Sequence, residues 1–169
     1  MSAICRLLYA SKAQAPAQAR HRLLARSSIL AASRMNNRAS GVTGALVCGS
    51  AYFFQVLEGS PAAIDATMLR IRRDHRHSSI VTLQRTSVQQ RQFSHLPMAE
   101  IGWAGQGAWV DSLLPLAHQG HAPAVESLHT LLLRCARDEF DNEPVVQSAG
   151  SRMRGVAGRA YYPRLVRAS

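Results

Sequence analysis

An α+β sandwich, one sheet with helices packed against it, is the fold this 169-residue sequence predicts. Three observations point to it. Short β-branched and aromatic runs alternate with longer stretches of helical spacing, in the order strand, helix, strand, strand, helix, strand, strand. With 47% hydrophobic residues the chain can bury a core, and its length suits one domain with a small appendage. No apolar run approaches the roughly 18 residues that a membrane span requires.

Residues 4–9 (ICRLLY) read as the first strand. The stretch 12-KAQAPAQA-19 is a loop entering a helix whose first turn tolerates Pro16. From 17 to 35, Leu23, Leu24, Ile29 and Leu30 give a helical stripe, and Asn36, Asn37 and Gly41 follow as stop and turn residues. In 42-VTGALVCGSAYFFQVLEG-59 two apolar runs flank Gly49 and Ser50, a hairpin signal. Ser60 is the N-cap and Pro61 the first residue of a second helix. Its buried face is Ile64, Met68 and Ile71, and it ends in the charged run 70-RIRRDHRH-77. Residues 80–87 and 96–101 are two further strands, joined by the polar 88-VQQRQFSH-95. The order β-α-β-β-α-β-β is a ferredoxin-like sandwich carrying one extra strand. After Trp103 comes a linker-like 104-AGQGAW-109, then a helical turn or two at 110–116. A clear helix follows at 124–137, with Val125, Leu128, Leu132 and Cys135 on one side. The expected organisation is therefore a main domain at 1–103, a C-terminal helical cap at 104–146, and a basic tail at 147–169. The tail is expected to be flexible until something binds it.

The three cysteines, Cys5, Cys48 and Cys135, have neither CxxC nor CxxxH spacing, so no metal site or disulfide framework is expected. Reduced thiols and the lack of a signal-peptide pattern suit a cytoplasmic protein. The N-terminal third is as acid-poor as an organelle transit peptide, but it runs without a break into folded core. Charge is uneven. Residues 1–57 hold seven Lys/Arg and no acid, residues 58–150 eight and ten, and residues 151–169 five and none. A basic balance favours polyanionic partners. The strands lack the Lys/Arg-Gly-aromatic pattern of RNA-recognition sheets, however, so nucleic acid is not the expected partner.

Gln55 interrupts a strand that is otherwise apolar on both faces. A buried primary amide has up to four hydrogen-bonding positions, and each left empty costs roughly 1–3 kcal/mol. Tyr9 alone would be a core aromatic, and Asn36 and Asn37 a helix C-cap pair. In this topology the first and third strands are neighbours, so Tyr9 and Gln55 fall side by side facing the helices, with Asn37 at a helix end. A phenol and two primary amides within apolar walls suit a flat heteroaromatic ligand with alternating carbonyls and ring nitrogens.

From about residue 4 to 103 the chain resembles the BLUF family of flavin-using blue-light sensors. The resemblance is carried by 9-YAS-11, 33-SRMNN-37, 41-GVTGALV-47, 53-FFQVLEG-59, 74-DHRHSSI-80 and 91-RQFSHLPM-98. It implies non-covalent FAD between the two helices, with FMN or riboflavin as alternatives. It also implies photochemistry without enzymatic turnover. Tyr9 matches the donor of an electron and a proton, and Gln55 the amide that rearranges its hydrogen bonds. Met98 matches the methionine that contacts this glutamine. Asn37, with Asn36 beside it, matches the residue holding the flavin's carbonyl edge. Arg76 and His77 fall on a basic pair near the flavin, and Ser11 on a polar residue by the first strand. The chain departs from the pattern at Leu96, where a tryptophan is frequent, and in about four extra residues between Tyr9 and Asn37. The resemblance leads one to expect output through contacts, by a homo-oligomer or a downstream regulatory protein, and no cyclase or phosphodiesterase fits in 104–169. The alternative is a light-insensitive interaction or nucleic-acid-binding module on the same fold.

Overall fold

The structure is a computed structural model that describes residues 3–14, 19–94, 97–101 and 107–141, with the side chains of 19–26, 100, 101 and 137–141 excepted. Five strands form one sheet: β1 (Ile4–Ala13), β2 (Thr43–Cys48), β3 (Tyr52–Gly59), β4 (His77–Val88) and β5 (Ala99–Ile101). Their spatial order is β4-β1-β3-β2-β5, antiparallel throughout except for the parallel pair β2 and β5. This is the ferredoxin-like arrangement with its extra strand at one edge. Helices α1 (Ala19–Ser40) and α2 (Pro61–Arg73) cross between strands, and α3 (Gly107–His118) and α4 (Ala122–Asp141) follow the sheet.

The first strand runs four residues beyond Tyr9, so Lys12 and Ala13 pair with β3 and β4 instead of opening a loop. Residues 15–18, within the 12–19 stretch expected to hold the extra residues, lie outside the described ones. The first helix also outlasts its expected end. Asn36 and Asn37 lie inside α1, and the stop is Gly41 at φ +63°, where Val42 N–H donates to Asn37 O (2.9 Å) and Gly41 N–H to Arg38 O (3.5 Å). That pair of bonds closes a helix with glycine in the left-handed conformation. Ser60 caps α2 as its sequence predicts, its hydroxyl accepting from Ala63 N–H at 3.3 Å with Pro61 behind it. β4 starts at His77, three residues early, which places that histidine in the sheet. Trp109 belongs to α3 and not to a linker. Leu96, Trp103 and the tail lie outside the described residues.

Both faces of the sheet are covered. On one face Leu7, Tyr9, Phe53 and Leu57 pack with Ile29 and Leu30 of α1 and Ile64 and Met68 of α2. On the other, Leu8, Ala10, Phe54 and Val56 pack with Phe93 and with Leu114, Leu128 and Leu132 of α3 and α4. This explains why β3 is apolar on both sides: period-2 alternation disappears when neither face meets water. Asp111 of α3 accepts from Ser50 N–H (2.9 Å), fastening the tip of the β2–β3 hairpin to the outer helices.

Candidate functional site

Tyr9 and Gln55 are direct register partners across β1 and β3, and both are buried under α1 and α2. The Tyr9 hydroxyl donates to Gln55 Oε1. The Gln55 amide then donates from Nε2 to Met98 Sδ at 3.2 Å. The phenol is held neutral. Burial first, then the fields of Cys48 and Asp74, push its pKa well above the ordinary tyrosine value. A buried O–H, an amide carbonyl, an amide N–H and a thioether thus form one chain of hydrogen bonds across three elements.

The segment carrying Met98 is clamped by α1. Asn37 Nδ2 donates to Pro97 O (2.8 Å), and Arg34 Nε to Met98 O (3.1 Å). Asn37 keeps its carbonyl oxygen and a second N–H, and with Asn36, Tyr9 and Gln55 it lines a narrow cleft of about 70 Å³. Ile29 and Ile71 supply apolar walls from the two helices, and Thr67, Arg70, Asp74, Arg76 and His77 stand at the α2 and β4 side.

His77 is fixed by Ser11, whose Oγ lies 3.0 Å from Nδ1, and its ring lies 4.8 Å from that of Phe53. Burial lowers its pKa to about 4, against the attraction of Asp74 and with the repulsion of Arg76, so the ring is neutral at pH 7. Arg76 is gripped by Asp74, with Nε to Oδ1 at 2.8 Å, and reaches Ser28 Oγ at 2.7 Å. The grip holds the Asp74 carboxyl down at about 2. At the mouth, Ser28, Arg70, Arg73, Asp74, His75 and Arg76 form an open, basic basin that shares Arg70, Asp74 and Arg76 with the cleft.

The structure brings Tyr9, Asn36, Asn37, Gln55, Arg76 and His77 to one cleft. It sets Met98 behind Gln55 and Ser11 behind His77, as supports and not as lining. Sequence reasoning missed Thr67 and Asp74, and it offers Arg34 only as one arginine of a basic helix, a phosphate ligand or a solvated charge, and not as the clamp on Met98. Asp74 had a signal, as the single acid inside 70-RIRRDHRH-77, whereas a helical arginine such as Arg34 looks like any solvated surface charge.

The sequence pattern described as "Sensors of blue-light using FAD" matches residues 4–99, more than half of the chain. The chain belongs to the BLUF family. FAD is the flavin by which that family is described, and the described donor set fits such a group: amides for a carbonyl and ring-nitrogen edge, aliphatic walls for a flat ring, arginines for phosphates. Among curated proteins the BLUF chain is 37% identical over 78 residues to photoactivated adenylate cyclase subunit beta of Euglena gracilis, a stretch covering 46% of this chain and 9% of that subunit. Among solved structures it is similar to the dark state of BlrB, a BLUF protein, with TM-score 0.67 and 26% identity over 80% of this chain and 98% of that one. It is similar also to a bacterial light-regulated adenylyl cyclase, with TM-score 0.59 and 26% identity over 78% of this chain and 39% of the cyclase. Among the described residues of the BLUF chain, no helix is long and apolar enough to cross a membrane.

Proposed function

We propose that this BLUF chain is a photosensor in which Tyr9 and Gln55 perform the photochemistry and the outer helices carry the signal. The hydrogen-bond chain Tyr9–Gln55–Met98 at the floor of the cleft carries the reading. A flavin held in the cleft would supply a strong oxidant on absorbing blue light. Tyr9, the buried phenol of the cleft, would then give up an electron and its hydroxyl proton and take both back. Gln55 presents an acceptor and two donors from one planar group, so it can return to a different hydrogen-bonding arrangement with no covalent change. Asn37 orients the ring edge, while Asn36 borders it. Ser11 holds His77 in place while burial keeps it neutral, and Arg76, fixed by Asp74, would face a cofactor's phosphates at the basic mouth. This favours FAD or FMN over riboflavin.

Residues 1–103 make up the sensor and 104–146 its helical cap. The cap acts on a second copy or on a regulatory protein without turnover of its own. Its position supports this, because α3 and α4 cover the sheet face that the cleft does not use.

The decisive measurement is an absorption spectrum of the FAD-loaded protein before and after blue light. A reversible red shift is expected in the parent chain, and Gln55→Leu should still bind flavin but lose that shift. Protein that stays colourless with added FAD, or a full shift in Gln55→Leu, would overturn the reading.

A further inference from the structure

Glu58 stands three places after Gln55 on β3, on the opposite face of the sheet, and its carboxylate is wholly buried. A charge in that position must be matched by charge and by hydrogen bonds, or it costs several kcal/mol. Arg6 Nε lies 2.7 Å from Oε1. The other oxygen accepts two backbone N–H groups, from Gln92 at 2.8 Å and Phe93 at 3.0 Å. Arg91 reinforces the same junction, donating to Glu58 O (2.8 Å), Gly41 O (2.8 Å) and Thr43 Oγ1 (2.9 Å).

The segment so held faces two ways. The Phe93 ring is buried among Leu114, Leu128 and Leu132 of the outer helices. The chain then runs on to Met98, whose sulfur accepts from Gln55. From α4, His129 feels both Arg6 and Glu58, and its Nε2 is buried with no hydrogen-bond partner among the described residues. The carboxylate therefore ties the strand of the photochemical amide to a segment whose one end touches that amide and whose other end packs under the cap.

We propose that Glu58 is the positioning residue that couples the Gln55 rearrangement to the α3–α4 cap, a step that rests on the photosensor reading above. Gln55 and Glu58 share β3, so a displacement of that strand with the Gln55 rearrangement carries the carboxylate with it. The bonds from Gln92 and Phe93 N–H to the carboxylate pass that displacement to the Phe93 ring, which packs against α4.

The test is amide hydrogen exchange on the FAD-loaded full chain in darkness and under steady blue light. In the parent, exchange at Gln92 and Phe93 and along α4 at 124–136 should change together. In Glu58→Gln the absorption red shift should keep its size, because Tyr9, Gln55 and Met98 are intact. The light-minus-dark exchange difference at 124–136 should fall about fivefold or more, the lower end of ordinary coupling between sites. Arg6→Gln, which leaves both backbone N–H bonds to the carboxylate, should retain most of that difference. Full retention of the difference in Glu58→Gln would overturn the coupling role. Should that variant not fold, the parent decides alone: exchange that changes along α4 while Gln92 and Phe93 stay fully protected overturns it too. A parent that binds flavin and shows no red shift would instead overturn the photosensor reading, and the coupling with it.

Discussion

Gln55 has four hydrogen-bonding positions, and among the described residues Tyr9 and Met98 meet one acceptor site and one donor. In the proposed mechanism the half-met amide is what lets Gln55 switch: each partner it keeps limits where the remaining positions can point. Two substitutions separate the partners' roles. Tyr9→Phe removes the hydroxyl and keeps the ring, costing about 1–3 kcal/mol of stability through the carbonyl it leaves without that donor. It should bind flavin and show no red shift under blue light. Met98→Leu keeps volume but removes the sulfur acceptor. The shift should remain, and recovery in darkness should change by up to about tenfold, the worth of one ordinary hydrogen bond in a barrier. Recovery followed by absorption decay checks this, and a rate equal to the parent's would show that the sulfur contact has no hold on Gln55.

The elements show which features were legible from residues and which were not. The strand order, the Ser60 cap and the pairing of Tyr9 with Gln55 follow from local rules: hydrophobic period, capping chemistry, and the crossover that puts the first and third strands together. Of the three stop candidates at the end of α1, the two asparagines stay helical and the backbone turns at Gly41. The stripe of α4 showed that one face is buried but not what covers it, since a helix stripe carries no address. Asn37 and Arg34 clamp Met98 from a distance in sequence, and no spacing rule predicts such contacts. Two glycines make the difference between conformation and space measurable. A Cβ at Gly41 meets nothing within 4 Å, so Gly41→Ala should cost only the left-handed backbone strain, about 1–2 kcal/mol. A Cβ at Gly44 would lie 2.0 Å from Val56 O, so β2 and β3 must separate locally. Gly44→Ala should cost several kcal/mol, more than typical single changes. Urea unfolding of both variants checks the order, and equal losses would contradict it.

Taken as a whole, the molecule keeps one histidine neutral beneath each helical layer. His77 lies under α1 and α2 and is lowered to about 4, chiefly by burial. His129 lies on α4 and is lowered by burial and by Arg6, with Glu58 opposing. In the unfolded chain both return to about 6.5. A histidine with a depressed folded pKa takes up its proton more readily when unfolded, so acid favours opening. The stability held at pH 7 is therefore lost as pH falls from about 6.5 towards about 4, and His77 alone accounts for on the order of 3 kcal/mol across that window. Against a total of about 5–15 kcal/mol for a domain of this kind, that is a large fraction. Asp74 acts in a separate window. Held at about 2 by Arg76, it adds stability above the ordinary carboxylate pKa that disappears only as pH falls below about 4. Urea midpoints measured between pH 7 and 4.5 should fall steadily, while His77→Gln should flatten the slope without removing the part due to His129. A parent profile that is level across that range would show that neither histidine is kept neutral by the fold.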